Sequence, residues 1–313
     1  MICAEIYAFV SCEDKDIRGI MREMYTGKCT LKAVFPQKPS FCLRGYAFHF
    51  CLEGIFLEVT LTMYLIVLPL VFLAAFIDAI GGGGGLISLP AYYLAGLPPH
   101  LAAGTNKMSA CFGSFTATLT FLKKGKLLLL PSLCAVLGAL PGAYIGTEIV
   151  KHMSPETVRL IMFILLPIVA LFMVLRRNKD YPVKPVTRKT MILCLVIGLI
   201  VGLYDGFFGP GTGTFYILLF TRFCGMETVT ASGSAKPANF ASNVASLTSY
   251  LIGGHVLFAL ALPAMVCSSV GGILGSRMAI RKGAKFIRYI MLVVVFMILV
   301  KLVIDWLWPN LLS

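Results

Sequence analysis

The sequence predicts an all-α, polytopic membrane protein built from two inverted repeats with glycine-broken or re-entrant helices and about eight to ten membrane segments. Three observations predict it. Residues of the AVILMFWYC set make up 58% of the 313 residues, charged residues only 13%, and mean hydropathy is +0.88. A soluble fold needs about a quarter charged residues, and the chain is too apolar to be disordered. Apolar runs then follow one another almost without interruption from residue 61 onward. Lastly, a set of motifs in the first half recurs in the second at a nearly constant spacing.

Residues 1–60 hold 14 of the 41 Lys, Arg, Asp and Glu residues and five of the ten cysteines, with no long apolar run. They lack the charged start, apolar stretch and small-residue end of a signal peptide. Met63 opens the first apolar segment. The expectation is a chain that starts near Met63, with 1–62 a poorly ordered extension; a small extramembrane domain is the alternative. The first repeat, 63–175, holds apolar runs at 61–80, 86–97, 108–122, 127–147 and 160–175. A basic linker, 176–189, separates it from the second repeat, 190–305, with runs at 190–204, 214–221, 238–252, 256–276 and 289–304. The shortest, 86–97 and 214–221, fall below the about 20 residues that span a bilayer. Each follows a glycine-rich break, as broken or re-entrant helices do.

The repeat itself is explicit. Asp78-Ala-Ile-Gly-Gly-Gly-Gly-Gly recurs as Asp205-Gly-Phe-Phe-Gly-Pro-Gly-Thr-Gly, and Gly104-Thr-Asn-Lys107 as Gly233-Ser-Ala-Lys236. The shift of 129 that relates the lysines also relates Gly142 to Gly271, Gly146 to Gly275 and Arg159 to Arg288. Charge sets the expected topology. Placing the linker in the cytoplasm puts fifteen of the twenty basic residues after residue 60 on that side; Lys151 and Arg159 fall outside, and Lys107, Lys236 and Lys301 lie at or within apolar segments. The net charge of +13 therefore reads as a topological signal in the inner (plasma) membrane, not as a nucleic-acid surface. Each half has an odd number of spans, so the halves are inverted, as in many secondary transporters.

Several chemistries are excluded. The glycine runs lack G-x-x-x-x-G-K-[ST] and G-x-G-x-x-G registers, there is no G-x-S-x-G or H-E-x-x-H, and no C-x-x-C pair or helically spaced His pair suggests a metal. No cofactor and no enzyme activity are expected. The candidate site lies at the repeated motifs. Gly83, Gly84, Gly211 and Gly213 expose helix N-termini, which carry positive partial charge and free N–H donors and suit an anion; close helix packing is the alternative. Lys107 and Lys236 are costly in a membrane, which points to a role for a substrate anion or counter-ion, unless they snorkel to the headgroups from a helix start. Thr105, Asn106, Ser234 and Asn239 lie near enough in sequence to finish such a site. Asp78 and Asp205 either cap the half-helix that follows or pair with the lysines, or carry a coupling proton.

The stretches Asp78-x-x-x-Gly-Gly-Gly-Gly-Leu-Ile-x-Leu-Pro, Gly96-Leu-Pro-Pro, Gly104-Thr-Asn-Lys and Tyr204-Asp-Gly-Phe-Phe-Gly-Pro-Gly-Thr-Gly resemble the TauE/SafE sulfite exporter family, also called the toluene-sulfonate uptake permease family. The resemblance covers about residues 63–305 and leaves 1–60 unmatched. It implies a multi-spanning transporter of small sulfur-containing or organic anions, such as sulfite or sulfoacetate; the reading taken together is a permease that moves a small anion by alternating access. The expected partners are that anion and the lipid bilayer; whether the chain forms a homo-oligomer stays open. The reading from another class is a channel, or a membrane subunit of a larger assembly without its own transport cycle.

Overall fold

The structure, a computed structural model, describes residues 60–154, 157–158, 160–161, 164, 183 and 185–283. The extension up to residue 59, most of the 160–175 span and of the linker, and the 289–304 span lie outside the described residues. Within them the chain forms eight helices and no strand.

Helix α1, Leu61–Gly81, starts at Thr60, whose hydroxyl accepts from the Met63 amide at 3.4 Å. It stops at Gly82, whose φ of +68° only glycine holds without strain. After the break comes α2, Gly85–Leu94. Then α3, Pro99–Lys123, opens on a proline, whose missing N–H costs nothing at that position, and α4 is Leu129–Lys151. In the second half, α5, Arg188–Phe207, opens on a capping box between Thr187 and Thr190. It is followed by α6, Thr212–Arg222, by α7, Thr228–Ile252, capped by the Glu227 carboxylate, and by α8, Phe258–Lys282.

Four of these, α1, α4, α5 and α8, are long and apolar enough to cross a membrane. The ten residues of α2 and eleven of α6 span about 15 Å, half the hydrocarbon thickness. Each glycine break turns the chain back on itself. Ile80 near the end of α1 packs with Phe121 and Ala279, whereas Tyr92 and Leu97 rejoin Val67 near its start. In the other half Tyr216 of α6 donates to Gly198 of α5 at 3.3 Å, and Cys224 beyond α6 lies 3.6 Å, sulfur to sulfur, from Cys194 near the start of α5.

The helices pair across the halves. A Cβ on Gly138, Gly142 or Gly146 of α4 would overlap Leu195, Leu199 or Leu203 of α5. Gly198, Gly202 and Gly206 of α5 stand equally close to Ala135, Ala139 and Ala143 of α4. The residue numbers rise together, so α4 and α5 run parallel, packed backbone to backbone as small residues allow in lipid. Gly271 and Gly275 of α8 do the same against Phe72 and Phe76 of α1. At the centre α3 and α7 run antiparallel: Gly104 meets Tyr250, the Phe115 and Phe240 rings lie 5.3 Å apart, and Gly233 meets Phe121.

Helices α3 and α7 begin well before the apolar runs 108–122 and 238–252 that announce them. Early in each helix lies a buried run of small residues, Ala102–Thr105 in α3 and Ala231–Ala235 in α7, so low hydropathy there marks contact with protein instead of water. At one end of the bundle lie the starts of α4, α5 and α7 and the ends of α3, α6 and α8, joined by contacts such as Leu128–Ser234 and Cys194–Cys224. That end carries Lys123, Lys124, Lys126, Arg188, Lys189, Arg222, Arg277, Arg281 and Lys282; Lys151 sits at the other.

Candidate functional site

Asp78 is in the last turn of α1 and Asp205 in the last turn of α5, each just before a glycine break. Lys107 is the ninth residue of α3 and Lys236 the ninth of α7. The four meet in two ion pairs, and the pairs cross between the halves. Lys236 Nζ lies 2.9 Å from Asp78 Oδ2 and also donates to the Asp78 carbonyl. Lys107 Nζ lies 3.0 Å from Asp205 Oδ1 and 2.9 Å from the Asp205 carbonyl. Local geometry explains this. The Asp78 carbonyl takes the Gly82 amide at 2.9 Å and keeps a second lone pair, and the last carbonyls of a helix carry negative partial charge, which an ammonium satisfies. The carboxylate in turn faces the start of the next half-helix: Asp78 Oδ1 accepts from the Gly84 amide at 3.3 Å, and Asp205 Oδ1 from the Thr212 hydroxyl at 2.8 Å. Both aspartates pair with a lysine; Asp78 also accepts a backbone amide at its break, whereas the partner of Asp205 beyond its break is a side-chain hydroxyl.

The lysines sit inside their helices, not at their starts. Lys236 is fully buried and Lys107 is 8% exposed, so neither ammonium reaches for the headgroups. The two pairs are unequal. The Asp205 side chain is 3% exposed and its Oδ2 also accepts from the Ser242 hydroxyl. Asp78 is 21% exposed, and its remaining donor is the Asn239 amide at 3.3 Å.

Between the pairs lies a cavity of about 70 Å³, room for several waters or one small oxyanion at about 10–15 Å³ per water. Asp78, Gly84, Asn106, Lys107, Asp205, Gly211, Thr212, Gly213, Asn239 and Asn243 line it. Oδ1 of Asn106 is buried there without a hydrogen-bond partner. The two breaks touch: a Cβ on Gly82 would overlap the Gly213–Thr214 backbone, and the Thr214 hydroxyl lies 2.7 Å from the Gly81 carbonyl. Gly83 is buried in the first break.

Thr105 and Ser234 stand away from the cavity. The Thr105 hydroxyl accepts from the Leu257 amide at 3.0 Å, just before α8; the Ser234 hydroxyl accepts from the Leu128 amide at 3.0 Å, just before α4. Both brace helix starts. Conversely, Thr212, Ser242 and Asn243 belong to the site and were not singled out from sequence. A signal for one of them, Asn243, exists. Ser232, Lys236, Asn239, Asn243, Ser246 and Ser249 recur every three to four residues along α7, a polar helical face.

Comparison with known proteins gives a consistent picture. The family model for the sulfite exporter TauE/SafE matches residues 67–302. A probable membrane transporter protein of Haemophilus influenzae is 36% identical over 242 residues, 76% of this chain and 93% of that protein. The probable membrane transporter protein YfcA of Escherichia coli is 34% identical over 233 residues, covering 74% and 87%. The probable membrane transporter protein ORF9 of a Sinorhizobium species is 36% identical over 235 residues, covering 75% and 90%. No solved structure matches.

Proposed function

Since this chain belongs to the sulfite exporter TauE/SafE family and is therefore a membrane transporter, we propose that it moves a small anion, sulfite or an organic sulfur anion, across the inner membrane by alternating access. The observation that carries this reading is the crossing of the ion pairs, Asp78 with Lys236 and Asp205 with Lys107, around one cavity. A pair that ties one half to the other is a latch. Opening the bundle toward one side separates one aspartate from its lysine, and an anion in the cavity can take the vacated place beside the ammonium. The substrate then lowers the cost of a buried unpaired charge, which favours the state that carries it.

An inverted relation of the halves is supported by the antiparallel run of α3 and α7, which are related by the 129-residue shift, and by the reciprocal pairing of α4 with α5 and α8 with α1. A cytoplasmic placement of the basic end is supported by the bias of positive residues toward that side of inner-membrane proteins.

Uptake of radiolabelled sulfite into liposomes holding the purified protein tests the function. Lys107→Met and Lys236→Met should each lower the flux by roughly ten-fold or more at matched protein levels, because each leaves an aspartate or the anion without its counter-charge. Lys→Arg should not restore it, since a planar guanidinium does not replace a compact ammonium. Normal uptake by both Met variants would remove the lysines from the mechanism, and a wild-type protein without flux of any sulfur anion would favour a subunit role.

A further inference from the structure

We propose that transport of a monovalent anion is electroneutral, with one proton crossing beside it, and that Asp78 is the residue that carries the proton. The inference rests on the anion-transport reading above.

The first step is charge balance. Among the described residues, the titratable side chains that line the cavity are Asp78, Lys107, Asp205 and Tyr250, and Lys236 reaches Asp78 from α7. Neither α2 nor α6 adds an ionised group to the cavity, and on α8, packed against α1, Arg277 is exposed. Two lysines and two aspartates sum to zero. A monovalent anion entering this cavity leaves one net negative charge among buried groups, which low-dielectric surroundings penalise heavily. Taking up one proton with the anion restores zero. The proton comes from water on the loading side, sits on a carboxylate oxygen during the crossing, and returns to water on the other side.

The second step is which carboxylate. Asp205 is the closed one. Its oxygens take the Lys107 ammonium at 3.0 Å, the Thr212 hydroxyl at 2.8 Å and the Ser242 hydroxyl, and the side chain is 3% exposed. Asp78 has one close donor, Lys236 at 2.9 Å. Its two others, the Gly84 amide and the Asn239 amide, are both at 3.3 Å. With 21% exposure it faces the space the substrate would enter. The equivalent positions of the two halves thus differ: one pair serves as a fixed clamp, the other as an exchangeable one.

The test follows charge, proton and anion together. Liposomes with the wild-type protein and an internal pH dye receive methanesulfonate, whose single negative charge does not change with pH, or sulfite. The vesicles are then clamped at different potentials with potassium and valinomycin. The expected result is flux that is insensitive to potential, driven by a pH gradient, with internal acidification in step with uptake. Flux that carries current, or that proceeds without proton movement, overturns the proposal while leaving anion transport intact. Absence of flux for every anion overturns the transport reading and this inference with it. In Asp78→Asn, the flux driven by a pH gradient should fall about ten-fold and what remains should move charge without protons. Asp78→Asn combined with Lys236→Met removes both charges of the pair, keeps the cavity neutral, and should show the same loss of coupling if the single variant fails to fold. Loss of proton coupling in Asp205→Asn, with coupling kept in both Asp78 variants, overturns the assignment to Asp78.

Discussion

Removing Lys236 should unfold the protein more readily, and removing Asp78 as well should repair the damage. In Lys236→Met the carboxylate of Asp78 loses its only close donor. At 2.9 Å and an effective dielectric of about 20, the gross attraction of such a pair is about 6 kcal/mol. Breaking a buried pair from one side costs about 3–5 kcal/mol. Lys236 is fully buried, but Asp78 is 21% exposed and water can screen it partly, so the low end applies, about 3 kcal/mol. At about 2–4 °C per kcal/mol for a chain of this size, the melting temperature should fall by roughly 6–12 °C. Asp78→Asn with Lys236→Met leaves no charge without a partner and should melt within a few degrees of wild type. The decisive comparison is the wrong double variant, Asp205→Asn with Lys236→Met. It breaks both pairs and should be at least as damaged as the two single variants combined. Thermal unfolding of wild type, Lys236→Met, Asp205→Asn and the two double variants in detergent, followed by intrinsic fluorescence, reads all of this. If the wrong double variant is rescued and the right one is not, the crossed pairing is refuted; if Lys236→Met melts like wild type, the pair is not buried as described.

Three further outcomes follow from the packing and the charge distribution. Gly146→Ala should cost about 1–3 kcal/mol, because its Cβ would overlap the Leu203 carbonyl across the α4–α5 contact; chemical denaturation measures it. Single cysteines at Lys124 and Lys282, in a background without native cysteines, should resist a membrane-impermeant thiol reagent in intact cells, while one at His152 should react; the reverse pattern would invert the placement of the basic end. A mild oxidant should link Cys194 to Cys224, whose sulfurs are 3.6 Å apart, and mass spectrometry of the digest should recover that bridged peptide.

Much of the architecture is legible in the sequence because lipid leaves few alternatives. Apolar length finds α1, α4, α5 and α8 almost to their ends, and the glycine runs find both breaks. The 129-residue shift finds Gly142, Gly146, Gly271 and Gly275, which do the same work in each half. Hydropathy fails at α3 and α7 because their partners are other helices, so small and polar residues replace Leu and Ile where backbones approach. The candidate site stands out in the sequence by its costliest residues. Lys107, Lys236, Asp78 and Asp205 are too expensive in a membrane to be incidental, but which lysine meets which aspartate is a long-range fact that no local pattern holds. Thr105 and Ser234 show the limit. They flank the lysines in sequence, yet a helix turns 100° per residue, which points them at the starts of α8 and α4 instead of the cavity.

The repeat in the sequence and the cooperative unit of the structure are therefore different things. Each half supplies one lysine and one aspartate but pairs neither within itself. Residues 63–175 alone would bury Lys107 without Asp205 and expose the glycine face of α4 that α5 covers; 190–305 alone would bury Lys236 without Asp78 and strip α8 of α1. A buried unpaired charge in each half costs several kcal/mol, and the small-residue faces gain their packing only against the other half. Exchange of partners on this scale ties the halves into one body through two contacts of the same design, made unequal by the residues around Asp78 and Asp205.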